Sequence, residues 1–189
     1  MIRRAALVLL FFALPSFAAA IELVDNGGFE DDQTIGWVEE TVGSSATIDR
    51  SVGYDPDPDF EIRVEKLTGN GHARLDQTVA VPSADAVFSA AVMIDVEASA
   101  KGGPWAAAGI ALDYENYLGD ALGTTMILRK TVDCPWIDSG KLHLIVVPDA
   151  AWNTVGFNLA DELANLTDVD LHAVHQIRIS LFGQVGGDC

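Results

Sequence analysis

The stretch Phe88-Ser89-Ala90-Ala91-Val92-Met93-Ile94-Asp95-Val96-Glu97 sets Phe88, Ala90, Val92, Ile94 and Val96 on one parity against Ser89, Asp95 and Glu97 on the other. Side chains on a strand point alternately to opposite faces, so this period of two gives one face to a core and one to water. The same alternation recurs on both sides. Phe60, Ile62 and Val64 oppose Glu61, Arg63 and Glu65, and Ala73, Leu75, Val79 and Val81 oppose His72, Arg74, Asp76 and Thr78. Downstream, Ala106, Ala108, Ile110, Leu112 and Tyr114 share a parity, as do Leu142, Leu144 and Val146, and then Ile177, Ile179 and Leu181. The alanines of the 106–111 run predict a strand where the sheet and its neighbour come close.

Turn formers separate these runs: Gly69-Asn70-Gly71, Pro82-Ser83, Gly102-Gly103-Pro104 and Ser139-Gly140. Many short strands without regular intervening helices predict an all-β chain, a two-sheet antiparallel β-sandwich. One helix is expected. Asn158 is a good N-cap, Asp161 follows three residues on, and Leu159, Leu163 and Leu166 fall on one helical face.

The first twenty residues, MIRRAALVLLFFALPSFAAA, place Arg3 and Arg4 before an apolar run from Ala5 to Ala13 and end in small side chains. That order reads as a signal peptide over residues 1–20, cut after Ala20 or after Ala18, followed by one domain over 21–189. An N-terminal anchor is the alternative, but the apolar run is short against the roughly 20 residues a bilayer needs. The expected location is secreted or periplasmic, with no stable membrane insertion after cleavage. The formal charge of −17 disfavours nucleic acid and anionic lipid as partners and suits cations or a neutral ligand such as a sugar. Acidity that merely keeps an exported chain soluble explains the same number.

Two cysteines, Cys134 and Cys189, are expected to pair in an oxidising compartment. On the chain-entropy model such a bridge is worth roughly 4 kcal/mol. The alternative is that Cys189 pairs with a residue beyond the present sequence. Two thiols without clustered histidines fall short of four zinc ligands.

The opening Leu23-Val24-Asp25-Asn26-Gly27-Gly28-Phe29-Glu30-Asp31, with Gly36-Trp37 after it, resembles the start of carbohydrate-binding jelly rolls of the galactose-binding-like superfamily. Ala73-Arg74-Leu75-Asp76-Gln77-Thr78-Val79, followed by Val81-Pro82, is similar to a later strand of those domains. The resemblance implies a bacterial jelly roll that binds a polysaccharide or other glycan without catalysis. It also implies a structural calcium ion near Glu30 and a Trp37 that is core; the nearby Asp25, Asp31 and Asp32 could supply further oxygens to such an ion, and the alternative is that Glu30 only flanks the first strand. The closing acidic strand of such domains has no clear match before Cys189.

Sugar recognition needs flat apolar surfaces against the ring and planar polar groups for the hydroxyls. Trp105, Tyr114, Tyr117, Trp136 and Trp152 are the candidate platforms, and Gln77, Arg129 and Asn153 the candidate readers. Each is also a candidate for ordinary packing. Gln77 shares its parity with Leu75 and Val79, so its amide either finds a buried partner or faces a groove. The run Asp55-Pro56-Asp57-Pro58-Asp59 is a second acidic locus on a stiff segment. No G-x-S-x-G or H-E-x-x-H motif is present, and the four histidines form no evident triad. The expectation is a protein that is not an enzyme. The alternative role is a structural or adhesive protein that contacts other proteins at the cell surface.

Overall fold

The alternating runs become strands in a computed structural model that describes residues 22–52, 59–81, 83, 85–97 and 104–186. The expected signal peptide, most of the Asp55–Asp59 run and Cys189 lie outside the described residues, so the Cys134–Cys189 pairing lies outside them too. The strands are β1 (Val38–Val42), β2 (Ala46–Ser51), β3 (Glu61–Lys66), β4 (Gly71–Ala80), β5 (Val87–Met93) and β6 (Ala106–Glu115). Next come β7 (Ala121–Lys130), β8 (Leu142–Val146), β9 (Trp152–Asn158), the helix α1 (Leu159–Leu163), a 3-10 turn (Leu171–Ala173) and β10 (Gln176–Val185). The protein is all-β, with antiparallel sheets in a sandwich-like arrangement and one short α-helix. Among the described residues no helix is long and apolar enough to cross a membrane.

One layer is a six-stranded sheet in the order β1-β4-β10-β6-β7-β8. The facing layer consists of two separate ladders, β2–β3 and β5–β9. The parities expected for β3, β5, β6 and β10 are the ones observed. Ile110, Leu112, Tyr114, Ile177 and Ile179 are buried toward the facing layer, which contributes Val92 and Ile94, with Ile62, Val64 and Phe88 packed beside them. Trp37 is core, its ring centroid 5.3 Å from that of Phe29 and its indole N–H donating to the Asp25 carbonyl.

One pairing and one strand parity depart from the general pattern. Not every pair is antiparallel: β7 and β8 run parallel, in a register from Thr124↔Leu142 to Leu128↔Val146. A parallel neighbour requires a crossover connection. The segment 131–141 supplies it and carries Trp136 and the buried Cys134 onto the sheet's outer face. The parity expected for β8 is also the wrong one for the main core. Ile145, which pairs with Ile127, and Val147 pack against that core, whereas Leu144 joins the outer cluster and Val146 is 60% exposed. Both faces of β8 meet apolar side chains, so hydropathy alone does not single out a parity there.

On that outer face Trp136 meets Trp105 and Phe182 edge-on, at centroid distances of 5.3 and 5.7 Å. The small residues Ala107 and Ala111 lie beneath this cluster, which accounts for the alanines of β6. The expected helix is present but shorter. Asn158 Oδ1 accepts the Ala160 N–H at 2.9 Å, and Leu159, Leu163 and Leu166 are all buried.

Candidate functional site: the cleft between β3 and β5

Among the described residues of the facing layer, β3 pairs only with β2, and β5 only with β9. The two ladders leave a cleft of about 790 Å³ between them. Every residue from Phe88 to Asp95 lines it, inward and outward parities alike, and so do residues 59 to 62 on the opposite side. A strand presents both parities along its edge and only one on a face. The cleft therefore runs between two strand edges. Its floor comes from the central strands of the large sheet: Ala108, Gly109 and Ile110 of β6, with Ile179 and Leu181 of β10.

Phe60 and Trp152 stand at the walls, with Trp152 40% exposed. Five carboxylates line the cleft, from Glu22, Glu30, Asp59, Glu61 and Asp95, and among the described lining residues there is no Lys, Arg or His. Glu61 Oε2 is buried and has no hydrogen-bond partner. The nearest cations are committed elsewhere. Arg50 donates to the carbonyls of Phe29 and Glu30 and lies over the Phe60 ring, 3.3 Å from its centroid. Arg129 donates to the Ile94 carbonyl at 3.1 Å and lies 3.5 Å from the Asp95 carboxylate.

The expected site residues divide among four places. Trp152 lines the cleft, and Arg129 does not line it but donates to the carbonyl of the lining residue Ile94. Asn153, next to Trp152, directs its amide to Asp149 and the Ala151 carbonyl. Trp105 and Trp136 belong to the outer aromatic cluster. Tyr117 is 74% exposed in the β6–β7 turn, edge-on to the His175 ring.

Gln77 and Tyr114 are interior. Gln77 Oε1 accepts the Asp25 N–H at 2.8 Å, while its Nε2 donates to the carbonyls of Asp25 at 3.0 Å and Gly36 at 2.9 Å. The amide thus staples the N-terminal loop to β4, resolving the choice posed by its parity. Gly36, at φ +81°, is required beside it, because a Cβ there would lie 2.6 Å from Gln77 Nε2. Tyr114 is fully buried, and burial pushes its phenol pKa well above the ordinary value.

Around the acids expected to hold calcium, Glu30 Oε1 accepts the Phe60 N–H at 3.2 Å and the Asp31 N–H donates to Asn26 Oδ1 at 3.0 Å. Asp25 engages Gln77 through its backbone. Among the described residues no group of three or more His, Cys, Asp or Glu side chains is placed to hold a metal.

A second polar cluster lies where α1 covers β7 and β8. Tyr114 Oη donates to Thr125 Oγ1 at 3.1 Å, and Thr125 Oγ1 donates to Glu162 Oε1 at 2.7 Å. His143 Nδ1 meets the same Glu162 oxygen, and Asn165 Nδ2 donates to Glu162 Oε2 at 3.1 Å. Glu162 is only 4% exposed. Sequence reasoning passed over it, although it lies three residues after Leu159 and four before Leu166, on the face that is buried. Glu61 and Phe60 were likewise not singled out. Their alternation marks a strand but not which edge of it stays unpaired.

Fold and cleft together define an all-β sandwich with an open, ligand-sized groove in its broken layer. No family model matches the chain, and no curated protein matches it. Among solved structures, the enzymatically active domain of bacteriophage CBA120 tailspike protein 4 is similar at 15% identity and a TM-score of 0.47, over 87% of this chain and 20% of that one. A structure of carbohydrate-binding modules from the β-sandwich superfamily, described as promiscuous in specificity, is similar at 15% identity and a TM-score of 0.45, over 87% of this chain and 56% of that one. The chain thus spans less than two thirds of either. Likeness at this level assigns neither family nor activity.

Proposed function

We propose that this is a secreted or periplasmic, non-catalytic binding domain that takes a glycan in the cleft between β3 and β5. The observation that carries the reading is the cleft itself. Its volume of about 790 Å³ falls within the range of ligand pockets. An apolar floor and the rings of Phe60 and Trp152 suit the flat faces of sugars, while the rim carboxylates and free strand edges accept or donate to hydroxyls. The test is a glycan array probed with the intact chain, once with calcium and once with chelator. Binding that weakens at least tenfold in Trp152→Ala supports the reading, and no binding in either condition overturns it. Loss with chelator alone supports the expected ion at Asp25, Glu30 and Asp31. Cleavage of a bound oligosaccharide overturns the non-catalytic part.

A second reading, contact with another protein, is favoured by the two facing strand edges. Unpaired backbone groups on each side of an apolar trough fit an extended polypeptide that adds to one or both ladders. Hydrogen exchange separates the two. A peptide strand protects edge amides along the whole of β5, whereas a glycan protects those near Trp152.

A further inference from the structure

We propose that Arg50 is a positioning residue of the glycan site: held by the backbone of the N-terminal turn, its guanidinium backs the Phe60 ring and fixes that ring as a platform on the cleft wall. The inference rests on the cleft being the glycan site. Arg50 lies on β2 opposite Ile62 of β3. Its side chain donates through Nε to the Phe29 carbonyl and through a terminal nitrogen to the Glu30 carbonyl, and its Cζ lies 3.3 Å from the Phe60 ring centroid. The Glu30 carboxylate completes the circuit by accepting the Phe60 N–H at 3.2 Å. Phe29, Glu30 and Phe60 all line the cleft, whereas Arg50 stands behind them.

A guanidinium is planar and stacks on an aromatic face, and two hydrogen bonds to carbonyls take away its freedom to swing. With one face of the ring covered by Arg50, Phe60 offers the cleft its other face and its edge. Phe29 is an independent sign that the turn is held firmly. Its backbone sits at φ +55°, a region that a bulky residue rarely adopts, and such conformations persist only where the surroundings over-determine them. The Phe29 ring packs on Trp37 while its carbonyl accepts from Arg50. The restraint thus runs from the core through the turn to Arg50 and on to Phe60. A side chain already fixed in its bound position loses little freedom when a ligand arrives, and that favours affinity.

The experiment is a double-mutant cycle on the intact chain. It is read as apparent dissociation constants on an array of glucose, galactose, mannose and N-acetylglucosamine oligosaccharides, at the spots the wild type binds. Arg50→Met keeps the length of the side chain, removes its plane and charge, and is expected to weaken binding about tenfold. Phe60→Ala is expected to weaken it at least as much. The double variant is expected to bind no more weakly than Phe60→Ala, because Arg50 then has no ring to hold. Arg50→Lys keeps the charge without the plane or the fork and is expected to fall with Arg50→Met. Melting curves check that the variants fold, and Arg50→Lys carries the cycle should Arg50→Met not fold. Unchanged affinity in Arg50→Met, with binding lost in Trp152→Ala, overturns the inference while the glycan reading stands. A further loss of about tenfold from Phe60→Ala to the double variant also overturns it, by showing that Arg50 does not act through the ring. Full affinity in Arg50→Lys overturns it too, leaving charge alone as the cause. An array with no bound spot overturns both.

Discussion

The layer facing the six-stranded sheet is finished in one place and unfinished in another. Where α1 lies over β7 and β8, Leu159, Leu163 and Leu166 close the core, and Glu162 meets Thr125, His143 and Asn165. Between β3 and β5 a cleft remains over apolar side chains of β6 and β10, neither strand edge has a partner strand among the described residues, and Glu61 Oε2 has no hydrogen-bond partner. Both regions place a carboxylate against apolar surroundings. In the first the protein supplies the donors, and in the second one carboxylate oxygen goes without. Burial that completes itself serves stability, and burial that does not is available for recognition.

Substitutions can break that contrast if it is wrong. The largest effect is expected under α1, where Leu163→Ala should cost about 2–5 kcal/mol through lost burial and the cavity left behind. It should appear as a lower urea midpoint with little change in glycan affinity. Thr125→Val should cost about 1–3 kcal/mol, because it strands the Tyr114 hydroxyl and removes one of the two partners of Glu162 Oε1 while keeping the side-chain shape. Trp152→Ala inverts the pattern, with stability changed by about 1 kcal/mol or less and ligand binding largely lost. Equal destabilisation by Trp152→Ala and Leu163→Ala would show that the cleft wall is structural after all.

The smallest effect concerns the turn leading into Trp152. The Ala151 N–H and the Asn153 amide hold the exposed Asp149 carboxyl below the usual carboxylate range. A lowered folded pKa contributes stability above the unfolded value of about 3.9, and the contribution disappears as pH falls through the folded value. The slight advantage of the wild type over Asp149→Asn in urea midpoint at neutral pH should therefore vanish in acid. A gap that persists there would assign the effect to the shape of the turn.

Much of this was readable in advance, for a physical reason. Alternation along β5, β6 and β10 records which side chains avoid water, and that information is local to each strand. Asn158 and the leucine spacing announced α1 in the same way. The parity of Gln77 left open a buried partner or a groove, and only the folded chain names Asp25 and Gly36 as its partners. The parity of β8 misled because both its faces are covered, one of them by a crossover that no local pattern encodes. The cleft depends on which edges fail to pair, a property of the assembled layer and not of any run of residues.

Strand β10 lies in the middle of the large sheet, pairing with β4 on one side and β6 on the other, yet it follows every other described strand in the chain. A polypeptide that emerges amino-end first has nothing to lay between β4 and β6 until residues 176–185 appear. The pairing of β4 with β10 closes contacts more than a hundred residues apart in sequence, as between Arg74 and Ser180. Such a fold matures late and slowly.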